Sequence, residues 1–220
     1  MKLHLNIPDS LDDITLEEYQ KFEKVNTEEN KDSVFLMQKM VEIFCKVDLD
    51  LTRNIKYKDL IDIVTHLNNL LTSKPELITT FKLDGIQFGF IPDLDNITLG
   101  EYIDLDNYLG SWENMHKAMS VLYRPIKLKK DNRYLIENYS GAIYDKQMLK
   151  SPLSVVISSQ VFFYNLSKEL LVYTLKFLEK ELGENLTQEQ LKTLEKNGDG
   201  ITQCMDSLAE ILKELNISQN

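Results

Sequence analysis

IPDSLDDITLEEY, at residues 7–19, returns one residue shorter as IPDLDNITLGEY at residues 91–102. In each copy a threonine is followed three residues later by a glutamate, Thr15 by Glu18 and Thr98 by Glu101. This is the spacing of a capping box, in which hydroxyl and carboxylate satisfy backbone N–H groups at the start of a helix. An approximate repeat at long spacing indicates two copies of one structural unit. The repeated stretch therefore predicts two helices that begin in the same way.

Each predicted cap is also flanked by a pair of apolar residues. They stand where a hydrophobic staple packs across the start of a helix, Ile14 with Tyr19 in the first copy and Ile97 with Tyr102 in the second. What repeats is a way of starting a helix, and the repeat contains no obvious chemistry.

Helical periodicity around the first copy predicts the rest of a first unit, residues 1–76. A short strand at residues 2–7 precedes the capped helix. Ser33 can cap a second helix, and a third begins at about Tyr57 and is stopped by Pro75.

The second unit, residues 77–167, begins with the clearest hairpin signal in the chain. Alternating apolar residues run into and out of Asp84-Gly85, a pair that suits a type I′ turn because both residues must take positive φ. The remaining predicted elements, in chain order after the capped helix, are a helix at residues 112–123 that aligns with residues 34–45, a strand at residues 133–139 and a long helix from Pro152.

Residues 168–220 have no counterpart in the repeat and predict a C-terminal helical extension striped with leucines. Such a stripe packs either on another chain or back on its own core, and the sequence leaves both alternatives open. The predicted fold class is mainly α: two related helical units from an internal duplication, a small antiparallel β-sheet and the C-terminal extension.

Composition excludes several classes of function. The formal charge of −10 over 220 residues argues against binding a phosphate backbone, which needs clustered cations. The basic run at residues 124–130 is the exception, and it is interpreted as a solvated loop. No apolar segment approaches the roughly 20 residues that span a membrane. Cys45 and Cys204 lack a CxxC spacing, and the N-terminus lacks a basic region followed by an apolar one, so a reduced intracellular protein is expected.

No residues predict an active site, a cofactor or a metal. His4, His66 and His116 are too widely spaced for a zinc site, and phosphate-binding and hydrolase motifs are missing from the sequence. The Asn197–Gly200 segment resembles a calcium loop, but position twelve falls on Asp206 instead of a glutamate, so a helix-breaking turn is the better interpretation. The chain is predicted not to be an enzyme.

Candidate partner-binding residues lie in the predicted helix at residues 112–123 and in the C-terminal extension. Aromatic and methionine side chains at helical spacing usually fill cores, but they also anchor adaptable protein interfaces. The candidates are Trp112, Met115, His116, Met119, Tyr123, Leu208 and Leu212.

Three further segments are informative together: FIPDLDNITLGEY at residues 90–102, Met115–Met119 continuing to Tyr123–Pro125, and Val161–Leu166. Together they resemble a family of tailed-bacteriophage proteins that act as tail-assembly chaperones or baseplate-hub subunits. The resemblance extends over about residues 3–180 and is strongest at 86–167. It implies no active site.

The resemblance implies a non-enzymatic role in tail morphogenesis, with other phage tail proteins as partners and neither nucleic acid nor membrane. A chaperone would cover the long apolar tape-measure protein in the cytoplasm of the infected bacterial host. The alternatives are a baseplate-hub, tail or neck subunit retained in the virion tail, and a phage regulator that binds a host protein. The oligomeric state stays open.

Overall fold

The computed structural model describes residues 5–31, 33–131 and 133–166, and within them helices surround one antiparallel sheet. The helices are α1 (Leu16–Glu23), α2 (Val34–Phe44), α3 (Leu49–Thr52), α4 (Tyr57–Leu71), α5 (Leu99–Tyr108), α6 (Met115–Leu122), α7 (Asp145–Met148) and α8 (residues 153–166). The strands are β1 (Thr80–Leu83), β2 (Ile86–Phe90), β3 (Tyr123–Lys130) and β4 (Arg133–Ile136). About half of these described residues are helical and the sheet that they form has four strands, so their fold is roughly mixed α/β.

The sheet is a simple antiparallel meander in the order β1-β2-β3-β4. The predicted first hairpin is confirmed, and its turn has φ of 47° at Asp84 and 84° at Gly85, as a type I′ turn requires. The strand predicted at residues 133–139 is confirmed as β4, which ends earlier, at Ile136. Ser33 caps α2 through a 3.0 Å bond from the Leu36 N–H, as predicted.

Three local predictions are wrong. Residues 5–7, the described part of the predicted first strand, form no strand. The basic run at 124–130 is β3 and not a loop, because its first residues pair with β2 and the rest pair with β4. Residues 112–123 are not one helix: a 3-10 turn at Trp112–Asn114 precedes α6, and Tyr123 already belongs to β3.

One hydrophobic cluster includes residues of both predicted units. Tyr19 of α1 packs on Trp112 with ring centroids 4.4 Å apart. Tyr123 lies between Phe81 and Phe90, 5.3 Å from each ring, and its buried hydroxyl donates to the Ile78 carbonyl at 2.8 Å. The predicted extension at residues 168–220 lies outside the described residues.

Candidate protein-binding surfaces

The predicted partner-binding stripe is in the interior. Four of its members are buried: Trp112, Met115, Met119 and Tyr123. The two methionines of α6 lie against Ser159 and Gln160 of α8. Trp112 packs on Tyr19, and Tyr123 packs between Phe81 and Phe90. The sulfur of Met119 lies 3.5 Å from Ser159 Oγ of α8. A partner therefore cannot reach these four side chains while the described fold is intact.

His116 is the one member of that stripe that is only half-buried. Its Nδ1 lies 3.3 Å from Gln20 Nε2, and burial lowers the pKa of the imidazole. Leu208 and Leu212 lie outside the described residues.

Both copies of the repeated stretch form the predicted capping box. The Thr15 N–H donates to Glu18 Oε2 at 2.8 Å, and the Glu18 N–H donates to Thr15 Oγ1 at 3.3 Å. The Thr98 N–H donates to Glu101 Oε2 at 2.6 Å, and the Glu101 N–H donates to Thr98 Oγ1 at 3.3 Å. The two helix starts therefore share one local hydrogen-bonding pattern.

The start of α1 is covered by residues 149–153, which we call the cover segment. The Leu16 N–H donates to the Ser151 carbonyl at 3.0 Å, and the Glu17 N–H donates to the Leu149 carbonyl at 2.8 Å. The Leu153 N–H in turn donates to the Ile14 carbonyl at 2.8 Å. As a result Leu16 is fully buried.

The start of α5 has no such cover within the described parts of the chain. Leu99, the counterpart of Leu16, is 73% exposed, and Tyr102, the counterpart of the buried Tyr19, is 46% exposed. Ile103 is also 46% exposed. Among the described residues, no group accepts a hydrogen bond from the backbone N–H of Leu99 or Gly100.

These exposed residues form one face of α5. Positions i, i+3, i+4 and i+7 share a helix face, so Leu99, Tyr102, Ile103 and the exposed Asp106 project together. We call these four residues the α5 face.

The opposite side of α5 is fixed to the sheet by a buried ion pair. Glu101 Oε1 lies 2.6 Å from Arg124 Nη2, and both side chains are more than nine-tenths buried. Arg124 also packs on the ring of Tyr139, whose hydroxyl donates to Asp104. The α5 face therefore points outward because its reverse side is held by charge and stacking.

The ionisation of Glu101 follows from these contacts. Burial alone would raise the pKa of Glu101, but the hydrogen bonds from Thr98 and the Arg124 guanidinium outweigh burial and hold it below its ordinary value. The carboxylate is therefore charged at neutral pH.

A second exposed surface lies on the hairpin of β3 and β4. Leu128 pairs with Leu135 and Lys130 with Arg133, so all four side chains lie on one side of the hairpin. We call these four residues the hairpin face. Leu128 is 67% and Leu135 is 61% exposed.

The other side of the hairpin packs on β2. Tyr134 lies over Gly89, where an added Cβ would come within 2.6 Å of its ring, and its hydroxyl donates to the Phe90 carbonyl at 2.9 Å. A register shift between Ile126 and Leu128 lets the strand turn one side inward and the hairpin face outward.

Charge is segregated between the segments that carry these two surfaces. Residues 83–116 contain seven carboxylates and neither Lys nor Arg. Residues 124–133 contain five cations and one carboxylate. The α5 face thus belongs to an acidic segment and the hairpin face to a basic one.

The chemistry of the described side chains is limited. In residues 5–31, 33–131 and 133–166, no group of three or more His, Cys, Asp or Glu is placed to hold a metal ion, and no helix is long and apolar enough to cross a membrane. Cys45 is buried and free, and burial raises the pKa of its thiol to about 11, so it is a poor nucleophile at neutral pH. Comparison with protein-family models, with curated proteins and with solved structures finds no match.

Proposed function

We propose that this chain is a non-enzymatic assembly protein that acts by covering an apolar segment of another protein. In line with the resemblance to tailed-phage proteins, we propose tail morphogenesis as the process and the tape-measure protein as the partner. The observation that carries the proposal is the exposed α5 face, whose counterpart at α1 is covered by the same chain.

The comparison between the two helix starts rests on the proposed internal duplication. Leu16 and Tyr19 are buried, and the cover segment bonds the backbone at the start of α1, whereas Leu99 and Tyr102, at the matching positions, are exposed. Exposed single apolar residues are common, but three at helical spacing on one short helix make a contiguous apolar surface. A partner whose apolar side chains packed on Leu99, Tyr102 and Ile103 would remove this surface from water.

The free energy expected from burying the apolar residues of the α5 face is adequate for specific binding. Burying a large aliphatic or aromatic side chain contributes about 1.5–3 kcal/mol. Three such residues, less the cost of ordering the partner, support a modest affinity of the kind a releasing chaperone needs.

The α5 face fits a helical client. Its i, i+3, i+4 spacing is the arrangement by which one helix packs on another. A tape-measure protein is expected to be long, helical and apolar before the tail tube encloses it, so it needs a temporary cover. The site of action would be the cytoplasm of the infected host.

Two other roles remain as alternatives. A baseplate-hub, tail or neck subunit would use the same face for a permanent contact in the virion, and a phage regulator would use it on a host protein. Mass spectrometry of mature particles distinguishes the virion subunit from the chaperone, since a virion subunit is present in the particle at fixed copy number and a chaperone is absent from it. Capture of one defined host protein by the α5 face would favour the regulator.

The direct test is co-expression with the tape-measure protein, scoring how much of it becomes soluble. The Leu99→Asp/Ile103→Asp variant should lose most of this activity, because two carboxylates replace the apolar centre of the face. The matched control is Val34→Asp/Tyr57→Asp, which places the same charges at exposed apolar positions of α2 and α4. Equal solubilisation by both variants would contradict the proposal.

A further inference from the structure

We infer that the α5 face has a second occupant, the hairpin face of another copy of this chain. The protein would therefore associate with itself when no other partner is bound. The inference rests on the proposed function in one respect, that the α5 face is a protein-binding surface.

The hairpin face carries two unfavourable features that no other described part of its chain relieves. Leu128 and Leu135 lie opposite each other and are mostly exposed. Lys130 and Arg133 also lie opposite each other, and like charges in that position destabilise a sheet. Neither cation forms an ion pair with a carboxylate of the described residues.

The α5 face is complementary to this surface in both respects. Each surface has an apolar centre. The charges at the edge of the hairpin face are positive, and those at the edge of the α5 face are negative. Asp106 lies on the α5 face, and the exposed Asp95 lies in the loop that leads into the helix. No Lys or Arg occurs in residues 83–116 to weaken the attraction. The buried Glu101–Arg124 pair is an example of the same acidic and basic segments attracting each other inside one chain.

Only a second copy can bring the two surfaces together. In the described chain both surfaces are exposed at the same time, so the hairpin does not fold back onto α5. A nucleic acid or an anionic membrane surface would meet the cations, but its phosphates would leave Leu128 and Leu135 without an apolar partner. Because the two surfaces differ, the contact joins different patches of the two copies.

Self-association would then compete with client binding at α5. Copies would protect each other's apolar face until a client displaced the hairpin. The hairpin face itself would take no part in holding the client, so the two interactions can be separated by mutation.

The test measures the mass of the full-length protein by sedimentation velocity over a range of concentrations. Wild-type protein should associate at about 0.1 M salt and dissociate at about 1 M, where the Debye length has fallen from ~10 Å to ~3 Å. K130E/R133E should be monomeric. The control R53E/K58E reverses one Arg and one Lys at exposed positions outside both surfaces, changes the net charge equally, and should associate like the wild type.

A charge exchange sharpens the test. D95K/D106K should also be monomeric alone, because the lysines on the α5 face and in the loop before it then meet the cations of the hairpin face. Mixed with K130E/R133E it should associate, because the mixture offers only oppositely charged contacts between the two variants. Restoration in the mixture cannot arise from misfolding of either variant.

The outcomes distinguish this inference from the proposed function. A wild-type protein that stays monomeric at low salt, a mixture that does not associate, or binding of DNA or anionic vesicles with no self-association would overturn the inference. In each case loss of client solubilisation in the α5 variant would still support the proposed function. Conversely, self-association of the wild type together with unimpaired client solubilisation by the α5 variant would contradict the proposed function and still support the contact between copies.

Discussion

The helix starts at α1 and α5 use the same residues in the same local geometry, yet one is interior and the other is surface. Both capping boxes are complete. Around the first, Leu16 is fully buried, and around the second, Leu99 is 73% exposed. The ion pairs of the two capping-box glutamates differ in burial in the opposite sense. Glu18 pairs with the exposed Lys46, and Glu101 pairs with the buried Arg124.

This contrast separates two kinds of information in the repeat. The cap is local, because four consecutive residues make all its hydrogen bonds. The cover is not local, because it depends on residues 149–153 reaching α1 from far along the chain. The same sequence pattern can thus start a helix in both places, while the burial of the residues that follow depends on the rest of the fold.

The largest expected difference concerns the two ion pairs. Arg124→Met should destabilise the protein by about 3–5 kcal/mol, because it leaves the buried Glu101 carboxylate without its charged partner. Lys46→Met should cost less than about 1 kcal/mol, because the Lys46 side chain is more than half exposed and its charge is solvated. Urea unfolding followed by circular dichroism measures both.

A double variant tests the reason for that difference. Arg124 Nε and Nη1 have no hydrogen-bond partner among the described residues, so removing the arginine also removes two buried unpaired donors. Glu101→Gln/Arg124→Met also removes the carboxylate charge that the single variant leaves buried and unpaired, so it should recover part of the stability lost in Arg124→Met. A double variant less stable than the single one would show that the pair is not what holds α5 to β3.

The next difference concerns the two leucines. Leu16→Ala should cost about 2–5 kcal/mol, because it opens a cavity beneath the cover segment. Leu99→Ala should change the stability by less than about 0.5 kcal/mol, as exposed substitutions usually do. If both substitutions were equally costly by thermal or urea unfolding, the α5 face would be covered in solution. Repeating the Leu99→Ala measurement at low and high protein concentration would show whether a second copy provides that cover.

Sequence reasoning succeeded where the determinant was local. The Asp84-Gly85 turn could be predicted because few residues tolerate the positive φ that the turn requires. The capping boxes could be predicted because their partners are three residues apart. The stripe of α4 could be predicted because its buried residues recur at helical spacing.

It failed where distant pairing decided the outcome. β3 contains Pro125 and several lysines, a composition typical of loops, and its strand character comes from partners in β2 and β4. The exposure of Leu99 could not be predicted either, because the sequence does not state which repeat the cover segment will reach. The stripe from Trp112 was placed at a surface, whereas its methionines fill the space between α6 and α8.

A smaller effect should be shared by both helix starts. Thr15→Ala and Thr98→Ala should each cost about 1 kcal/mol, within the usual range of about 0.5–2 for an N-cap. The Thr98 value should be the larger of the two, because its hydroxyl also lies 2.7 Å from Glu101 Oε2. Thr→Ser at either position is the control and should retain most of the cap. Unequal costs of several kcal/mol, measured by urea unfolding, would mean that the two caps are not equivalent local units.

The smallest expected effect is the pH dependence that Glu101 confers. Its pKa is lower in the folded protein than its ordinary value of 4.5, so the unfolded chain takes up a proton at a higher pH than the folded one. The stabilisation is therefore fully present above pH 4.5 and is lost as the pH falls through the lowered pKa. Glu101→Gln removes this titration, so the stability difference between wild type and variant should be largest near neutral pH and shrink in acid. Unfolding free energies of the two proteins at a series of pH values from neutral to about 3 test this, and a constant difference would show that the Glu101 carboxylate does not gain its charge stabilisation from Arg124 and Thr98.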